Sequence, residues 1–182
     1  MSRFAFPLTA VALALSAGAP AAQHDGHAAQ SGRAATSLRN AQNQVVGEAA
    51  AAREGGLVRV RVTVRGFAPG TYGVHLHQTG RCEGPGFDSA GPHWNPADKQ
   101  HGRLNPQGPH LGDMPNLEVR TNGAGRIDFE VQVPAGTEAG ANPLLDADGT
   151  SVVIHAAADD ERTDPSGNSG ARIACGVLTP VR

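Results

Sequence analysis

The segment Gly73-Val74-His75-Leu76-His77 carries two imidazoles two residues apart. On an extended strand a period of two puts His75 and His77 on one face and Val74 and Leu76 on the other. The aliphatic pair takes a core, so both imidazoles point toward whatever the following segment lays over that strand. By itself such a pair suits a metal ion or a solvated surface equally well. The segment that follows is more specific: His93, His101, His110 and Asp113 fall in a stretch rich in Gly and Pro, opened by Gly91-Pro92-His93-Trp94-Asn95-Pro96. Three imidazoles and one carboxylate complete a closed tetrahedral Zn²⁺ shell, and a loop this irregular gains order from such a clip. The competing reading is a polar loop with incidental histidines. Farther on, Val152-Val153-Ile154-His155 repeats the strand logic, with Val152 and Ile154 inward and His155 outward as a third outward imidazole. His24 and His27 stay outside this set, because two histidines on a polar leader make an incomplete shell.

Strands must position these groups. Alternating or apolar runs over Ala34 to Arg39, Val45 to Ala52, Leu57 to Arg65, Gly73 to Gln78, Leu117 to Thr121, Arg126 to Val133, Val152 to His155 and Ile173 to Leu178 read as eight strands. Over Leu57 to Arg65 the alternation is nearly ideal, with Val58, Val60, Val62 and Val64 facing a core and the arginines facing water. Asn122-Gly123 marks a hairpin. Two gaps, Thr79 to Asn116 and Ala156 to Arg172, are long for a compact domain, and loops of that kind are functional or metal-held.

Composition agrees with an all-β chain. Aromatic residues make up 4% while Gly (24) and Pro (13) abound, which favours short strands joined by many turns over a helical bundle. The length of 182 residues suits one domain. A formal charge of -2 with balanced signs gives no basic face for nucleic acid or anionic lipid. Residues 1–22 read as a secretory signal peptide, with Arg3, an apolar run too short to span a bilayer and an A-x-A site at Ala19 and Ala21. Residues 23–33 read as a disordered leader, and 34–182 as the folded domain.

Taken together, Gly73-x-His75-x-His77-x-x-Gly80-x-Cys82, Gly91-Pro92-His93-x-Asn95-Pro96, His101, His110-x-Gly112-Asp113 and Gly167-Asn168-Ser169-Gly170-Ala171-Arg172-Ile173-Ala174-Cys175-Gly176 resemble the copper/zinc superoxide dismutases. The resemblance runs from Ala34 to Val181 through several ordered, independently spaced motifs. It implies a flattened, immunoglobulin-like, eight-stranded Greek-key β-barrel with two long functional loops. It also implies one copper ion on His75, His77, His93 and His155 and one zinc ion on His93, His101, His110 and Asp113, with His93 shared. Asp159 matches a carboxylate that links a copper-ligand histidine to a zinc-ligand histidine, here His75 and His101; read from position alone it is an ordinary turn acid. Arg172 matches the arginine that borders the copper and receives the substrate anion, and its plain reading is a strand-edge surface charge. The implied reaction is 2 O₂•⁻ + 2 H⁺ → O₂ + H₂O₂ through alternate reduction and reoxidation of copper, with His93 taking up and returning a proton.

Cys82 and Cys175 are the only cysteines, and in a secreted chain such a pair oxidises; a two-thiol metal site is the lesser reading. One disulfide is therefore expected. The second loop departs from the better-known eukaryotic members, since Asp160-Glu161-Arg162-Thr163-Asp164-Pro165-Ser166-Gly167-Asn168 is short and lacks lysine. Their steering scheme does not transfer, and Lys99, Arg103 and Arg162 are bare candidates. The expected surroundings are the bacterial periplasm, with superoxide as substrate, no stable membrane insertion, and a homodimer left open. A secreted protein that buffers or delivers copper and zinc without turnover is the alternative function, and a plain extracellular β-domain a third.

Overall fold

A computed structural model describes residues 1, 32–137, 144–146 and 148–181. The expected signal peptide, most of the leader, and His24 and His27 lie outside the described residues.

The valines that alternate with arginines set the pattern of the fold. In β3 (Leu57–Val64), Val58, Val60, Val62 and Val64 are buried, while Arg59 and Arg61 face solvent. The outer face of β3 is tied to β7 (Gly125–Gln132) by Arg59 to Glu130 and Arg61 to Asp128, each at 2.7 Å. Around this pair lie β1 (Gly32–Asn40), β2 (Val45–Glu54), β4 (Gly70–Tyr72), β5 (Val74–His77), β6 (Leu117–Val119), β8 (Thr150–His155) and β9 (Arg172–Pro180). All pair antiparallel in one sheet of order β4-β6-β7-β3-β2-β1-β9-β8-β5. The Asn122-Gly123 hairpin forms as expected, with Gly123 at φ 75.

The fold class is the expected all-β barrel, but among the described residues nine strands replace the eight. The extra one is β4. It continues directly into β5 except for Gly73, so a single run of chain pairs with β6 in its first half and with β8 in its second. The two outer members of the sheet are thus covalent neighbours, which nearly closes the barrel and leaves few free edges. At the switch, the Gly73 amide donates to the Ala157 carbonyl (2.8 Å) and its carbonyl accepts from the His155 amide (2.9 Å). A Cβ at Gly73 would lie 2.8 Å from the Ser169 Cβ, so the crossing needs glycine.

Inside, Leu38, Leu76, Trp94, Met114, Leu117, Ile154 and Leu178 fill the core. Of the long connections, the one between β5 and β6 bridges to His75 and His77, and the one between β8 and β9 meets His75 through Asp159 and His155 through the Gly170 carbonyl. Among the described residues no helix is long and apolar enough to cross a membrane.

Candidate metal centre

Strand β5 buries both of its faces. Val74 and Leu76 enter the core, and His75 and His77, each 0% exposed, are covered from outside by the first long loop. That loop has no strand periodicity, yet its backbone pairs with β5: the Gln78 amide donates to Pro92, Trp94 to Leu76, and Leu76 to Gly112, at 2.7–3.0 Å. These bridges set His93 opposite His77 and Asp113 opposite His75. Gly112 makes the approach possible, since a Cβ there would overlap the Leu76 carbonyl.

Backbone carbonyls fix the tautomers of two rings. His77 Nδ1 donates to Gly91 O (2.8 Å) and His155 Nδ1 to Gly170 O (3.1 Å); a carbonyl only accepts, so each Nε2 keeps its lone pair. His75 is held through Nε2 by Asp159 Oδ2 at 2.7 Å, which frees Nδ1. His75 Nδ1, His77 Nε2, His93 Nε2 and His155 Nε2 are all buried and without a hydrogen-bond partner. Ligand atoms of these four residues lie within 4.8 Å of one another. Orphaned lone pairs converging on one point are costly to bury and are what a copper ion on four imidazoles requires.

The second cluster is made almost wholly by the loop. His93 Nδ1, His101 Nδ1 and His110 Nδ1 stand 2.9, 3.0 and 3.1 Å from Asp113 Oδ1, and His110 Nδ1 stands 3.3 Å from His93 Nδ1. Three of these separations are shorter than the edges, about 3.3 Å, of a tetrahedron around a Zn²⁺ with ligand bonds of about 2.0–2.1 Å and the fourth equals them, so the four groups stand close enough to share one such ion. Asp113 Oδ2 accepts from the Gly102 and His110 amides, both at 2.9 Å, so Oδ1 is the oxygen left for the cluster. Proximity alone also groups His75 with His93, His101 and Asp113. His75 already spends Nε2 on Asp159, so His110 is the better fourth member. The residues therefore fit both ions, and His93 is the one ring with a nitrogen in each cluster.

The two clusters differ in electrostatics. Burial pushes His75 down to about 3 and His155 down to about 4, lowers His77 well below its ordinary value, and lowers His93 against the pull of Asp113. His101 goes the other way. Burial opposes its charge, but Asp113 and Asp159, one at each ring nitrogen, outweigh that and lift it to about 9. Asp113 and Asp159 are held well below the usual carboxylate range, because their histidine partners overcome the effect of burial. Asp159 spans His75 (2.7 Å) and His101 (3.0 Å), the two rings expected from the sequence.

Arg172 opens β9 at the mouth of this site. Its Nη1 donates to Phe87 O and its Nη2 to Gly91 O, both at 2.8 Å, so the Gly91 carbonyl serves Arg172 and His77 together. Burial draws Arg172 below its ordinary value. One cavity is lined by Arg172, His93, His155, Lys99, Asp98 and Asp164, among others. Of the three cations weighed for steering, only Lys99 reaches that wall. Arg103 lies 3.6 Å from Glu161 and Arg162 donates to Leu104 O, so both knit the two loops together. Cys82 and Cys175 form the expected disulfide, with Cα atoms 5.6 Å apart. Phe87, Ala90 and Val153 pack around it. Phe87, in the left-handed region at φ 56, and the carbonyls of Gly91 and Gly170 were missed from sequence, because backbone groups carry no residue-type signal.

Comparison with known proteins agrees with this geometry. Residues 43–178 match the family model described as Copper/zinc superoxide dismutase (SODC). The chain is 40% identical over 149 residues to Superoxide dismutase [Cu-Zn] 2 of Aquifex aeolicus, covering 80% of this chain and 86% of the relative. It is 42% identical over 123 residues to Superoxide dismutase [Cu-Zn] of Caulobacter vibrioides, covering 66% and 71%. Among solved structures, a SOD-like protein from Bacillus subtilis is similar at a TM-score of 0.68 and 38% identity, covering 79% of this chain and 97% of that one.

Proposed function

The chain belongs to the copper/zinc superoxide dismutase family, and we propose that its two clusters form one dinuclear site joined by His93. The protein is a superoxide dismutase with copper and zinc as cofactors. In this reading His75, His77, His93 and His155 hold copper, and His93, His101, His110 and Asp113 hold zinc. What carries it is the set of four buried imidazole nitrogens without hydrogen-bond partners beside a second set of three imidazoles gathered on one oxygen of Asp113.

When bound, copper supplies alternating one-electron chemistry and zinc supplies redox-inert positive charge. The chain supplies the rest. Arg172, its guanidinium fixed by two carbonyls, offers its remaining N–H donors to a small anion entering the cavity. His93 lines the same cavity, and its Nε2, when not engaged by copper, would be the atom at which one of the two required protons is held and then given to the departing peroxide. Asp159 keeps His75 and His101 in one tautomer and one orientation. The disulfide secures the loop that supplies Gly91 O.

The disulfide and the bacterial relatives support a periplasmic setting, where the enzyme would protect the cell envelope from superoxide. A homodimer is compatible with this reading. The ligand assignment is tested by anomalous diffraction at the copper and zinc edges from crystals of the doubly loaded protein. The expected result is copper among the first four histidines and zinc beside Asp113; one metal alone, or copper beside Asp113, would overturn it. Arg172→Ile is expected to keep both metals and lose about tenfold or more of the rate, whereas a metal-holding protein would show no turnover to lose.

A further inference from the structure

Asn116 stands between Asp113 and the start of β6, and nothing in the chemistry above uses it. We infer that Asn116 is a positioning residue for both metal sites, acting through the backbone of Asp159; this rests on the ligand assignment just proposed. Its carboxamide closes a two-point clamp. The Asp159 amide donates to Asn116 Oδ1, and Asn116 Nδ2 donates to the Asp159 carbonyl, both at 2.8 Å. One side chain thus offers Asp159 the donor and acceptor that a neighbouring strand would offer.

The flanking backbone shows why the clamp matters. Ala157 is held by Gly73 and Ser169, and Asp160 by Gly167, through main-chain bonds of 2.8–2.9 Å. The peptide groups of Asp159 itself are bonded by Asn116 instead. Its carboxylate is then committed on every side: Oδ2 to His75, Oδ1 to His101 and to the Glu161 amide (2.6 Å). Gly167 presses on it so closely that a Cβ there would overlap Oδ1. A carboxylate so constrained cannot adjust by rotation if its backbone drifts.

Asn116 also belongs to the segment that carries Asp113. His101 is held between two carboxylates, Asp113 Oδ1 at Nδ1 and Asp159 Oδ1 at Nε2, each 3.0 Å away. The clamp joins the chain segments bearing those carboxylates and so fixes the span across the imidazole. Through Oδ2 the same clamp reaches His75 and the copper side. Neither ligand set contains Asn116, yet both depend on it.

The test is a zinc titration of the metal-free full chain against a competing chelator, with the Cu(II) electron paramagnetic resonance spectrum as a second readout. Asn116→Ala is expected to weaken zinc about 10–100-fold, as loss of a partner that orients a ligand does, and to alter the copper spectrum through His75. In an Asp159→Ala background the same substitution is expected to add less than about twofold, because its route is gone. Asn116→Asp keeps the acceptor for the Asp159 amide and loses the donor, so it is expected to fall between and serves if the alanine variant does not fold. Zinc affinity within about twofold of wild type in both variants, or an undiminished effect in the Asp159→Ala background, overturns the inference. If Asp113→Ala leaves zinc binding intact, the ligand assignment fails and takes the inference with it; if Asp113→Ala abolishes binding and Asn116→Ala does not weaken it, the inference alone fails.

Discussion

In the copper-side cluster three of four rings stand on strands: His75 and His77 on β5 and His155 at the end of β8. Backbone carbonyls turn His77 and His155, and burial lowers the pKa of all four rings. In the zinc-side cluster every ligand comes from one loop, and the groups that orient them are carboxylates and amides of other loop residues. The first half is thus organised by the barrel. The second is anchored to β5 beside His93 and Asp113 and is otherwise organised by polar contacts of the loops, which a divalent cation completes. The difference teaches where metal binding is coupled to folding: weakly at β5 and β8, strongly between residues 93 and 113.

The sharpest way to break this contrast is to remove zinc alone. Asp113→Ala is expected to abolish tight zinc binding and to raise amide exchange across residues 101–113 by orders of magnitude, while the amides of β5 and β8 stay protected, as hydrogen exchange read by mass spectrometry would show. Equal deprotection of both halves would mean the barrel does not hold its histidines independently.

Next in size is the disulfide, which spans 93 residues. Replacing both cysteines by serine is expected to cost about 4–5 kcal/mol in the chain-entropy description, measured by urea unfolding of the metal-free protein. Arg172 depends on the same loop, so the loaded variant should also bind azide more weakly.

Leu76→Ala probes the strand half from below, since Leu76 is 0% exposed beneath the two histidines of β5. A loss of about 2–5 kcal/mol in unfolding free energy is expected, with zinc affinity changed less than copper affinity.

The most diagnostic effect is the pH dependence of the metal-free protein. His75 and His155 are depressed to about 3 and about 4, so below 6.5 the unfolded chain takes up protons that the folded chain refuses. Stability then falls by about 1.4 kcal/mol per pH unit for each such histidine. His101 is raised to about 9, so its contribution is complete below 6.5 and is lost as pH climbs toward 9. Calorimetry should therefore find a stability maximum near 6.5, which metal loading flattens. A melting temperature that rises steadily from acid to alkaline pH would contradict the assignment of opposite electrostatics to the two halves.

Much of this was legible in the residues. The alternation of Val58 to Val64, the H-x-H of β5, the His/Asp set of the loop and the lone cysteine pair each carry their signal in side-chain type and spacing. Strand β4 did not, because Gly70-Thr71-Tyr72 is too short for periodicity and becomes a strand only by pairing with β6. The clamp by Asn116 was equally hidden: an asparagine before a strand looks like a turn residue, and its partner lies 43 positions away. The same holds for Phe87, whose carbonyl rather than its ring meets Arg172.

The most direct measurement is superoxide decay, followed by stopped flow, on protein carrying one copper and one zinc per chain, beside a His93→Ala variant loaded in the same way. The wild type is expected to clear superoxide at a rate approaching the diffusion limit, about 10⁸–10⁹ M⁻¹s⁻¹, and the variant to lose at least about a hundredfold. A fully loaded wild type that clears superoxide no faster than the metal-free chain would contradict the claim that these histidines form one catalytic site.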